Sequence, residues 1–87
     1  MLTLTDGAAE HLSELLVAAE APKEVAVRFV RDGQELAMTM DNERPGDATF
    51  AHEGRTVLLL DSEISEALAG RTLGIEDSEE GARLALS

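Results

Sequence analysis

Cysteine, tryptophan and tyrosine are absent from the 87 residues, and phenylalanine and proline occur twice each. Without a thiol there can be no disulfide, no zinc finger, no thiol nucleophile and no thiolate-held iron–sulfur cluster. Basic residues are scarce: Lys plus Arg total 7 against 18 Asp plus Glu, a formal net charge of -11. Nucleic acid is therefore not an expected partner, since its binding relies on Lys and Arg that release counterions from phosphates. No apolar run approaches the roughly 18–20 residues of a membrane helix, so no membrane partner is expected either. The opening Met1-Leu2-Thr3-Leu4-Thr5 is not a secretory leader. These features predict a cytoplasmic chain.

Hydrophobic residues make up 44% of the sequence and are spread evenly, which excludes a disordered acidic tail. The length predicts one domain, residues 1–87, because single cores commonly run to about 100–150 residues. The acid excess keeps so small a domain soluble and favours basic partners.

A helix is predicted from Thr5 to about Glu20. Thr5 or Asp6 can cap it, and Ala8, Leu12, Leu15, Leu16 and Ala19 recur at helical spacing, with Glu10, Glu14 and Glu20 on the other side. Ala21-Pro22-Lys23 is the expected stop, because the residue before proline is pushed out of the α region. From Val25 the period becomes two, with Val25, Val27 and Phe29 on one face of a strand. Asp32-Gly33 predicts a tight hairpin turn, and Leu36, Met38 and Met40 alternate along the return strand. Asn42–Asp47 is a turn-rich loop. Strands Ala48–His52 and Thr56–Leu60 follow, joined at Glu53-Gly54; Val57–Leu60 lacks alternation, as a central strand covered on both faces would. A second helix begins at Asp61-Ser62, turns Ile64, Ala67 and Leu68 inward and stops at Gly70. Strands Thr72–Glu76 and Ala82–Leu86 close the chain. The order α-β-β-β-β-α-β-β predicts an α+β fold with mostly antiparallel sheets.

This arrangement resembles the A-type iron–sulfur carriers, the HesB/IscA-like family, over almost the whole chain. Leu2–Leu12 resembles the family's start, in which a Thr caps the first helix. Val25–Phe29 is similar to the strand that leads to the family's first cysteine. Glu53–Asp61 is similar to its Gly-then-hydrophobic strand, Leu68–Ile75 to the segment after the second helix, and Glu80–Leu84 to the strand near the family's end. The resemblance implies a small α+β carrier scaffold and at least a homodimer. It implies no cluster ligands here. The Cys-Ser-Gly turn of the family is replaced by Arg31-Asp32-Gly33-Gln34-Glu35, and no Cys-Gly-Cys follows before Ser87. The expectation is a cluster-less member without cofactor, acting as a protein-interaction or accessory module through a protein partner or self-association.

Glu35 stands where the first family cysteine would fall, and with Asp32 it offers oxygen ligands to a hard cation such as Mg²⁺, Ca²⁺ or Mn²⁺. The simpler reading is that Asp32-Gly33 makes a hairpin turn and Glu35 faces solvent. The alternative reading is therefore a carboxylate-based metal-binding protein linked to cluster assembly. His11 and His52 are widely separated and lack HxxxH or HxH spacing. Met38 and Met40 have thioethers that bind Cu(I), but in a chain with 2% aromatics they are expected to fill the core. Glu76, Asp77, Glu79 and Glu80 form an acidic cluster without the spacing of an EF-hand. Ser13, Ser62, Ser65 and Ser78 lack a nucleophile elbow, and phosphate-binding glycine loops are missing, so no enzyme is expected.

Overall fold

The computed structural model describes residues 2–87. Its elements are β1 (Thr3–Leu4), α1 (Asp6–Ala18), β2 (Val25–Asp32), β3 (Glu35–Asn42), β4 (Ala48–His52), β5 (Arg55–Leu60), α2 (Ser62–Ala67), β6 (Thr72–Ser78) and β7 (Gly81–Leu86). Two sheets form, a four-stranded one of order β3-β2-β5-β4 and a three-stranded one of order β1-β6-β7. Pairing is antiparallel within the three hairpins, whereas β2–β5 and β1–β6 pair in parallel. The α+β expectation holds, and β1 is an addition to the expected order. Its two residues carry too little pattern to read as a strand; Thr3 and Thr5 are fixed by backbone bonds to Arg71 and Leu73.

Helix α1 begins where the sequence places it. Thr5 is extended and its hydroxyl accepts the Ala8 N–H at 3.1 Å. Its end is not set by Pro22. Glu20 adopts φ 55°, its N–H donates to the Val17 carbonyl, and the Ala21 N–H donates to the Leu16 carbonyl. This is the left-handed cap in which the two residues after the helix satisfy its last carbonyls, made here without glycine. Asp61 caps α2 by accepting the Ile64 N–H at 2.8 Å, and Gly70 at φ 78° follows its last turn.

Ala8, Leu12 and Leu16 of α1, Val27 and Phe29 of β2, Leu58 and Leu60 of β5, Ile64, Leu68 and Leu73 share one core between the sheets. All four residues of Val57–Leu60 are fully buried, as expected for β5, which lies between β2 and β4. Two expected core positions on the helices are corrected. Ala19 is exposed because α1 has ended before it, and Ala67 is exposed because the short α2 buries Ile64 and Leu68 instead. The first hairpin is shifted by one residue relative to expectation. Asp32 and Glu35 are its last paired residues, and Gly33 at φ 64° with Gln34 forms the tip. A two-residue connection needs positive φ at its first position, which favours Gly33 there over Asp32.

Candidate functional site

Three features of the β2–β3 hairpin bear on function: its tip, the loop that follows it and its apolar face. At the tip, Asp32 and Glu35 are cross-strand partners, both exposed. Among the described residues no group of three or more His, Asp or Glu side chains gathers as a metal site would require. His11 lies half-buried on α1, beside Gly7, Glu10, Glu14 and Ile75, and His52 ends β4. The acidic cluster is split by the last hairpin. Glu76 faces Arg83 across the strands at 3.4 Å, while Glu79 and Glu80 form the turn. Ser78 donates its hydroxyl to the Gly81 carbonyl at 2.7 Å, which gives it a structural use.

Behind the tip lies a charged cluster that sequence reasoning missed. Arg28 alternates with Val27 and Phe29 and so projects from the opposite face of the large sheet, yet it is only 4% exposed. Its guanidinium donates to both carboxylate oxygens of Asp47, at 3.0 and 2.5 Å, to the Asp41 carboxylate through Nε at 3.0 Å, and to the Asn42 carbonyl at 3.2 Å. Asp47 also accepts the Arg44 N–H at 2.7 Å, and Arg44 reaches Asp41 at 2.6 Å. The bidentate fork suits Arg and not Lys. These bonds draw the β3–β4 loop back over the sheet. The hydrogen bond from Arg28 holds the Asp47 carboxyl below the usual carboxylate range against the opposing effect of burial. The Asn42 N–H, ahead of its two arginine neighbours, does the same for Asp41. Arg28 is shifted upward, chiefly by its bond to Asp47. A lone Arg inside the otherwise apolar Val25–Val30, with two Asp residues downstream, was the available signal. An unpaired charge in a covered strand is too costly to persist.

The apolar face of β3 departs most from expectation. Met38 and Met40 do not fill the core: they are 54% and 44% exposed, and Leu36 is 41% exposed. They share a face with Val27 and Phe29, but β3 is the outermost strand and α1 ends beside it, so the described residues cover them only in part. A groove of about 460 Å³ runs between Met38 and Met40 on one side and Leu15, Ala18 and Ala19 on the other.

Comparison by sequence alone matches no family model and no curated protein. Comparison of structures is decisive. Escherichia coli SufA, described as involved in the biosynthesis of iron–sulfur clusters, superposes with a TM-score of 0.69 at 24% identity, over 99% of this chain and 83% of that one. The chain has the SufA/IscA carrier fold. A crystal structure of IscA with a [2Fe-2S] cluster matches with a TM-score of 0.67 at 16% identity, covering 100% of this chain and 84% of that one. A protein from Aquifex aeolicus solved in solution matches with a TM-score of 0.67 at 20% identity, over 99% and 89% of the two chains. At these identities the likeness to the SufA/IscA carriers is one of fold. This chain contains no cysteine, and among the described residues no three His, Asp or Glu side chains gather as ligands.

Proposed function

We propose that this chain is a cysteine-free protein on the iron–sulfur-carrier scaffold that binds no cluster, catalyses no reaction and serves as a protein-interaction or accessory module. The observation that carries this reading is the combination of a carrier fold with a donor set of carboxylates and two separated imidazoles. Cluster iron is held by thiolate, with imidazole in some sites. Neither the carboxylates at the hairpin tip nor the histidines on α1 and β4 meet that need. The uncovered apolar face of β3 supports a role in contact with another protein, since large exposed apolar patches mark interaction sites. The acid surplus makes a basic protein a better match than nucleic acid.

Anaerobic reconstitution with ferrous iron and sulfide tests this. The desalted protein is expected to stay colourless; a stable visible absorption band with bound iron and acid-labile sulfide overturns the reading.

The pairing of Asp32 with Glu35 favours a second, cation-binding reading. Hard cations such as Ca²⁺ take about six to eight oxygen ligands, and two exposed carboxylates supply few of them. Calorimetric titration with Fe²⁺, Mn²⁺ and Ca²⁺ is expected to show no binding tighter than about 1 mM, an affinity worth roughly 4 kcal/mol. Tighter binding that disappears in Glu35→Gln would favour the cation instead.

A further inference from the structure

We infer that the outer edge of β3 binds an extended apolar segment of a basic protein, which joins the four-stranded sheet as a fifth strand. The inference rests on the interaction-module reading and names what the module takes. β3 is eight residues long, pairs with β2 at every position without a bulge, and has no strand on its other side among the described residues. Alternate backbone N–H and C=O groups along that side are therefore free to pair with an added strand, up to Asn42, whose N–H and C=O already bond Asp41 and Arg28. Sheet edges are ordinarily protected by Lys, Pro, a bulge or a covering element. Glu35–Asn42 contains none of the first three, and α1 stops short of being the fourth.

The side chains supply specificity. Leu36, Met38 and Met40 line one face of this edge, with the α1 groove beyond one flank. On the other, a hollow of about 200 Å³ opens between Leu36, Met38 and the β7 residues Leu84 and Leu86. An incoming strand with apolar residues at every second position would lay them along this strip. Flexible methionine side chains adjust to such a guest more readily than branched ones.

Charge selects the guest. A second copy of this chain would bring another net charge of -11 to the contact. In the antiparallel register that sets Met38 against Met38 and Leu36 against Met40, Glu35 falls opposite Asp41 at both ends. Like charges directly opposite one another destabilise a strand pair. A partner with Lys or Arg flanking its apolar residues reverses that term, because Asp32 and Glu35 occupy one end of the edge. Arg31, the cation beside Leu36 in the hairpin register, is already held by Glu63 at 3.2 Å.

Two fluorescein-labelled peptides test the proposal: alternating Val and Thr with Lys at both ends, and the same core with Glu at both ends. Fluorescence anisotropy at low salt is expected to show the Lys peptide binding at least about tenfold more tightly, the scale on which charge complementarity acts. Met38→Glu is expected to weaken it by a similar factor with an unchanged melting temperature, and N-methylation of alternate peptide amides to abolish binding. Equal affinity for the two peptides, no binding of either, or full binding by the Met38→Glu protein overturns the proposal. Sedimentation of wild type and Met38→Glu without peptide is expected to give the same oligomeric state; a dimer that Met38→Glu dissolves overturns the proposal in favour of self-association. If a partner captured from cells is retained equally by Met38→Glu, the edge proposal falls while the module reading stands. A reconstituted cluster instead removes the module reading itself.

Discussion

Arg28 shows how much of this fold depends on one side chain and its two carboxylates. Removing Asp47 leaves a buried guanidinium without its bidentate partner and frees the Arg44 N–H. Asp47→Ala is therefore expected to destabilise the protein by roughly 3–5 kcal/mol in urea unfolding, a large fraction of the total for a small domain. The double replacement Arg28→Leu with Asp47→Leu is expected to cost less than the two single changes added together, because neither charge is then left unpaired. The same cluster sets an acid response. Folding lowers the Asp41 and Asp47 carboxyls below their ordinary value of 3.8. Their contribution is thus complete above that value and is lost as pH falls through the lower folded values. Melting temperature is expected to drop steeply below about pH 4, and less steeply in Asp47→Asn, which has no carboxyl to titrate there. Equal slopes for the two proteins would exclude the cluster as the cause.

Among the elements, α1 and β3 depart from their patterns for different reasons. Proline two residues beyond Glu20 suggested the helix stop, yet the hydrogen bonds of Glu20 and Ala21 end the helix earlier. A side chain at φ 55° costs energy that glycine avoids. Glu20→Gly is accordingly expected to stabilise the protein by about 0.5–1 kcal/mol, measurable as a higher urea midpoint at unchanged slope. An unchanged or lower midpoint would show that the backbone there is relaxed. In β3, alternation correctly marked a strand with one apolar face. Alternation carries no information on whether that face meets another element, and here the sheet ends at β3. The Asp32 and Glu35 pair is similar: their spacing indicated proximity at a turn, while the absence of a third ligand beside them among the described residues depended on how distant segments fold.

For the molecule as a whole, a net charge of -11 on 87 residues opposes compaction through self-repulsion. Raising salt from about 10 mM, where the screening length is about 30 Å, to about 1 M, where it is about 3 Å, is expected to raise the melting temperature. A salt-independent melt would discredit self-repulsion as a destabilising force here. The local patterns in the chain were sufficient for the α+β class, the helix starts at Thr5 or Asp6 and at Asp61-Ser62, and the buried run Val57–Leu60, since each shows in the residue types of a short stretch. The lack of thiolate ligands is likewise a property of the residue list. The parallel pairings of β2 with β5 and β1 with β6, the burial of Arg28 under residues 41–47, and the open edge at β3 were decided only in three dimensions. Each joins segments remote in sequence, and no local periodicity encodes which strand will lie beside which.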